Sequence, residues 1–305
     1  MITLISKYIK YLKIERNSSV HTLKSYKNDL DQFLAFVAAH YDIEPEQVKT
    51  DSVDRLTIRL WLGELAENGF ARNTIARKVA SLRSFFKYSF KRGYITKNPA
   101  HLLIVPKKEK RLPKTMQPEE VQRMMELADG DTATDKQNRA ILELFYSTGM
   151  RLSELTTLNI SHLNFTQNQV TVSGKGNKQR IIPLGKFALD ACKNHLKTRD
   201  ELYGTRTDSD AERALFLAPS GHRIYARYVQ TIVKKYIERI SEVTQKSPHI
   251  LRHSFATHLL DAGADIRMIK EFLGHANLSA TQIYTHTSVE RLKKVYNQAH
   301  PRAEN

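Results

Sequence analysis

The sequence predicts a mainly α protein with one small antiparallel β-sheet, built as an N-terminal helical bundle followed by a second, mostly helical domain. Three observations predict this. Apolar residues recur at helical spacing through residues 1–105. A basic run bracketed by prolines, PKKEKRLPKT, follows at once and suits a linker over 106–116. In the remainder, 117–305, a single stretch of alternating residues interrupts an otherwise helical pattern.

The first stripe is Leu4, Ile5, Tyr8, Ile9 and Leu12. The second runs through Tyr26, Leu30, Phe33, Leu34 and Val37, with Ser19 placed to cap its helix. Ile58, Trp61, Leu62 and Leu65 form the third, and Ile75, Val79, Leu82, Phe85 and Phe86 the fourth. Four amphipathic helices with short connections make a bundle. On the polar side of the fourth, Arg77, Ser81, Ser84 and Lys87 recur three or four residues apart. Cations and hydroxyls are what phosphate contacts use, and a solvated basic face has the same composition.

Beyond the linker, Pro118-Glu119-Glu120 is a good first helical turn. Val170 and Val172 alternate with polar residues, Gly174-Lys175-Gly176-Asn177 supplies turn chemistry, and Ile181-Ile182 resumes the extended run. That is a hairpin with Lys175 near its tip. Lys178 and Arg180 on the same hairpin are further DNA-contact candidates. Helices return over 224–243 and from Pro248.

Charge narrows the function. The chain carries 48 Lys and Arg against 32 Asp and Glu, a net +16 over 305 residues. The excess is spread: 17 basic against 10 acidic residues in 1–105, and 5 against 1 in 106–116. A chain positive in every part suits a polyanion partner, and double-stranded DNA is the densest one. The single cysteine, Cys192, excludes an internal disulfide and a cysteine-built zinc site. The first ten residues lack the apolar run of a secretory signal, and no stretch approaches the ~20 apolar residues of a membrane span. A cytoplasmic protein with no membrane partner is expected.

No GxxxxGK[ST] loop, no HExxH and no acidic pattern for paired Mg²⁺ ions occurs. Chemistry on DNA phosphates is therefore expected to proceed with no cofactor, metal or ATP. It needs a nucleophile, fixed cations for the developing charge, an acid for the leaving oxygen and a base. Arginine forks suit the cations, and tyrosine suits a nucleophile whose ester must later be reversed. Arg151 follows Gly149 between two helices, His249 and Arg252 stand three apart, His275 follows Gly274, and Tyr284 comes shortly after. Singly, each has a plainer reading: Arg151 pairs with Glu154, a lone histidine is commonly structural, and Tyr284 is one of 13 tyrosines.

Taken together and in order, TGMRLSEL, GKGNKQRIIPL, HILRHSFATHLLDAGADIRMIKEFLGH and IYTH resemble the catalytic domain of the tyrosine recombinases over about the last 190 residues. The N-terminal part is similar to that family's SAM-like core-binding domain, and VYNQAHPRA resembles its Xer group. The resemblance implies that Arg151 and Arg252 clamp the scissile phosphate and that Lys175 protonates the 5′ oxygen. His249 would assist proton transfer, His275 would bond a phosphate oxygen, and Tyr284 would form the 3′-phosphotyrosyl link. Glu154 would orient Arg151. Every family position holds the expected residue type.

The resemblance further implies chromosome dimer resolution at dif-like sites by a tetramer on two DNA sites. A paralogous recombinase and an FtsK-type translocase would be partners. Val289, Leu292, Val295 and Tyr296 form a C-terminal stripe that serves either its own domain or donation to a neighbour. The alternatives are a mobile-element integrase and a DNA-binding architectural protein that does no chemistry.

Overall fold

Helix α1 (Ile2–Ile14) buries Leu4, Ile5, Tyr8 and Leu12, the stripe its spacing predicts. The computed structural model describes residues 1–104, 115–174, 179–242 and 246–274, apart from the side chains of Met268 and Glu271. It divides into two units, Met1–Arg111 and Leu112–Asn305.

In the first unit α1 is followed by α2 (Val20–His40), α3 (Arg55–Glu67) and α4 (Arg72–Lys91), with two short 3₁₀ turns between α2 and α3. The Ser19 hydroxyl accepts from the Thr22 N–H at 3.2 Å and caps α2. Phe33, Trp61, Phe85 and Phe86 meet in the centre with edge and tilted ring contacts. One member of this core is a charge. Lys78 is 2% exposed, its ammonium 3.2 Å from Asp29 Oδ1, bonded to Gln32 Oε1 and lying 5.3 Å from the Trp61 ring. Arg77 pairs with the other oxygen of Asp29, so one buried carboxylate joins α2 to α4.

The second unit is built around α6 (Ala133–Thr148), which is buried almost all round and packs on α8 (Lys186–Thr198) and α11 (Pro248–Asp261). It also contains α5 (Pro118–Leu127), α7 (Leu152–Thr156), α9 (Ser209–Arg213), α10 (Ala226–Ile240) and α12 (Ile266–Phe272). Helix α10 is shorter than the predicted 224–243, ending where Ser241 turns extended.

The predicted hairpin is β2 (Gln169–Ser173) against β3 (Gln179–Pro183), with Val170 opposite Ile182 and Val172 opposite Arg180. A two-residue strand, β1 (Leu163–Asn164), extends the sheet beside β2. Val170, Val172 and Ile182 face the core while Ile181 is exposed, as period-2 alternation requires.

Met116, placed by its sequence position at the end of the linker, is fully buried in the second unit's core. Its N–H donates to Ser254 Oγ at 2.9 Å, and its carbonyl lies 2.9 Å from His258 Nε2. A carbonyl only accepts, so Nε2 carries the proton and Nδ1 accepts from the Tyr146 hydroxyl at 2.8 Å. Among the described residues no helix is long and apolar enough to cross a membrane.

Candidate active site

Three arginines from three elements gather at one place, two of them on a single glutamate. Helix α6 ends at Gly149, whose φ of 55° is the left-handed conformation that glycine adopts freely. A Cβ there would also lie 2.6 Å from Leu273 and 2.7 Å from Phe255, so the turn accepts no side chain without displacement. The tight turn sets Arg151 as the N-cap of α7.

Glu154, three residues on and 2% exposed, reaches back to it. Its Oε2 accepts from the Arg151 backbone N–H at 2.7 Å and its Oε1 from the Arg151 guanidinium at 2.9 Å. Arg180 on β3 then closes a bidentate fork on the same carboxylate, at 2.7 and 2.9 Å. Burial alone would raise the Glu154 pKa, but the Arg180 and Arg151 hydrogen bonds and the Arg180 charge outweigh it and hold the group below its usual value. Glu154 is thus a fixed anion.

Arg252 stands in the second turn of α11, half-buried, bonded to the Gly149 carbonyl and, at 2.6 Å, to the Leu273 carbonyl. Burial first, and the neighbouring Arg151 charge second, lower its pKa to about 10. Arg151 keeps an exposed edge, its side chain 39% accessible. Counting charges, three guanidinium groups face one carboxylate. The surplus is positive, confined and partly desolvated, which is the electrostatic condition for holding a phosphodiester whose charge grows as it reacts.

Of the expected site residues, the structure brings Arg151, Glu154, Arg252 and Arg180 together. His249, in the first turn of α11, is exposed. Lys175, Lys178, His275, Tyr284 and the 289–296 stripe lie outside the described residues. Arg180, expected to contact DNA, sets two of its nitrogens on Glu154 and its Nε on the Phe272 carbonyl at 3.1 Å. One expectation is corrected. Ser81 was expected at a phosphate-facing surface, but it is fully buried and its hydroxyl donates to the Lys78 carbonyl at 2.8 Å. A short hydroxyl that bonds its own helix can sit on the core side, which spacing alone does not reveal. Arg77 is exposed but tied to Asp29, Ser84 takes the Tyr8 hydroxyl at 2.6 Å, and Lys87 is exposed.

Sequence reasoning missed Gly274. Its φ is 65°, and a Cβ there would lie 3.1 Å from Arg180 and 3.3 Å from Arg151. Its bare Cα lets both guanidinium groups close over the end of α12. The sequence signal was the glycine after Phe272-Leu273, read only as the residue before His275.

Among the described residues, no group of three or more His, Cys, Asp or Glu side chains is placed to hold a metal ion. Cys192 is fully buried, and burial pushes its thiol up to about 12.

Comparison with known proteins supplies the class. The Phage integrase family matches residues 114–291, and the Phage integrase N-terminal SAM-like domain matches 5–93. Curated proteins named tyrosine recombinase XerC are similar along the whole chain. The one from Pelotomaculum thermopropionicum is 39% identical over 98% of each chain. That from Pelobacter propionicus is 42% identical over 96% of this chain and 93% of its own. Among solved structures, a XerH site-specific recombinase bound to difH substrate, in a pre-cleavage complex, has a TM-score of 0.66 and 26% identity over 95% of this chain and 83% of its own. The Tn1549 transposon integrase, with a TM-score of 0.68 and 23% identity over 95% of this chain and 98% of its own, shares the fold.

The fold and the relatives are those of a tyrosine recombinase, an enzyme class that transfers DNA strands. This chain belongs to the phage integrase family, and its full-length relatives mark it as Xer-type.

Proposed function

We propose that this chain cuts and rejoins DNA through a 3′-phosphotyrosyl link to Tyr284, resolving chromosome dimers at dif-like sites in the cytoplasm. The observation that carries the reading is the surplus of guanidinium charge around Glu154 at the Gly149 turn. Arg151 and Arg252 grip the scissile phosphate. The Tyr284 oxygen attacks phosphorus, the bond to the 5′ oxygen breaks, and Lys175 supplies the proton that oxygen takes. His249 assists proton transfer from the tyrosine, and His275 bonds a phosphate oxygen. Because the phosphotyrosyl ester conserves the bond, a 5′ hydroxyl reverses it without metal or ATP. Lys87 at the N-terminal unit and Lys178 on the hairpin contact the DNA backbone.

The working assembly is a tetramer on two DNA sites, shared with a paralogous recombinase and activated by an FtsK-type translocase. Support comes from the XerC names of the relatives and from the difH substrate bound by the XerH structure.

A nicked suicide duplex carrying the dif-like site of the host chromosome tests this. On a denaturing gel, without added metal or ATP, the wild type is expected to form a covalent adduct that Tyr284→Phe abolishes. An adduct that persists in the variant assigns the nucleophile elsewhere. Tight binding with no adduct removes the chemistry from this chain acting alone.

A further inference from the structure

Three consecutive carbonyls at the end of α12 each hold a different arginine. Phe272 takes Arg180 Nε at 3.1 Å, Leu273 takes Arg252 at 2.6 Å, and Gly274 takes Arg151 at 2.7 Å. The same three arginines are those grouped around Glu154 and Gly149. Arg180 differs from the other two in its role. Its side chain is 14% exposed, whereas that of Arg151 is 39% exposed.

Arg180 also belongs to neither helix of the cluster, standing on β3 opposite Val172. Its fork covers both oxygens of Glu154, leaving the carboxylate's remaining capacity to the Arg151 N–H and guanidinium. The hairpin strand is thereby tied to the start of α7 and the end of α12 by one planar group. Remove it, and a buried carboxylate faces a single cation while the Phe272 carbonyl loses its donor. Both defects displace Arg151, and an ångström of misplacement in such a site is costly.

We propose that Arg180 is a positioning residue for strand transfer and not a DNA contact: it fixes Glu154 and the end of α12, and so sets where the Arg151 and Arg252 guanidinium groups stand. This rests on the strand-transfer reading above. Lysine is no substitute, because a point charge reaches one oxygen and not three acceptors in a plane.

Single-turnover adduct formation by the full-length protein on the nicked suicide duplex tests it, at varied duplex concentration and salt. Arg180→Gln is expected to slow adduct formation at saturating duplex about 100-fold. The half-saturating concentration and its salt dependence should not change. Arg180→Lys is expected to be about tenfold slow with the same unchanged binding. Glu154→Gln, which removes the charge that Arg180 holds, is expected to slow adduct formation at saturating duplex by at least about tenfold with the same unchanged binding.

The opposite pattern overturns the proposal: a saturating rate equal to wild type, weaker binding, and a salt slope reduced by about one phosphate contact. If Arg180→Gln does not fold, as read by thermal unfolding, the lysine variant decides by the same criteria. A wild type that forms no Tyr284-dependent adduct overturns the strand-transfer reading itself, which is a separate result.

Discussion

In the N-terminal unit a buried carboxylate, Asp29, is shared by Arg77 and Lys78; in the catalytic unit Glu154 is shared by Arg151 and Arg180. The exposures are nearly matched: Asp29 is 1% and Glu154 2% exposed, and each has one arginine about two-fifths exposed. What differs is the origin and number of the cations. Arg77 and Lys78 are neighbours on α4, so their network ties α4 to α2. Arg151, Arg180 and Arg252 come from three elements, and the third finds no carboxylate, only carbonyls. One arrangement leaves a single cation in excess, spread along one helix, and serves cohesion. The other is overcharged and held open by main-chain acceptors, which suits a transient anion. Similar residue chemistry therefore serves fold or function according to the charge left over.

The largest expected effect breaks the second network. Arg252→Ala should slow adduct formation about 10³-fold, about 4 kcal/mol of transition-state stabilisation, in a single-turnover assay at saturating duplex. A loss under about tenfold would place the phosphate elsewhere.

The matching change in the first network should leave chemistry alone. Asp29→Ala strands the buried Lys78 ammonium and should cost about 3–5 kcal/mol in urea unfolding, while the folded fraction keeps its saturating adduct rate. A cost below about 1 kcal/mol would mean that Gln32 suffices as the acceptor.

A buried group that stays neutral sharpens the contrast. His195 is fully buried on α8, stacked on Phe216, with Nε2 2.9 Å from the Leu215 carbonyl. Burial lowers its pKa to about 4. Between that value and the ~6.5 of an unfolded chain, only the unfolded state takes the proton. Stability is therefore complete above about pH 6.5 and falls as pH drops towards 4, by up to about 3 kcal/mol. Thermal unfolding from pH 7 to 4.5 should show this slope, and His195→Gln should flatten it. The smallest effect is at the bundle's edge: Ser19→Ala should cost about 1 kcal/mol by removing the α2 cap, measured in the same urea titration.

The helical stripes were legible because a 3.6-residue period is a local property, and the stripes from Leu4 to Phe86 mark the observed core. The hairpin was legible for the same reason, while two-residue β1 is too short to show a period. Arg151, Glu154 and Arg252 could be named from motif order, but not their arrangement. That depends on Gly149, Gly274 and three carbonyls, and a backbone acceptor has no letter in the sequence. Lys78 escaped notice and Ser81 was placed on the wrong side because periodicity sorts residues as polar or apolar. A lysine with Asp29 opposite it, or a serine bonded to its own helix, belongs inside despite its type. Arg180 was read as a DNA contact because a basic residue in a basic hairpin is indistinguishable, before folding, from one that will find a carboxylate.

Met116 has a consequence for modular reuse. Its main chain is held from both sides by Ser254 and His258, which follow Arg252 on α11. The entry point of the catalytic unit is therefore fastened to the helix that carries its second arginine. A chimera that grafts a different helical bundle onto this unit should place its seam upstream of Thr115. A seam at residue 117 would replace the Met116 side chain, which fills the core of the catalytic unit.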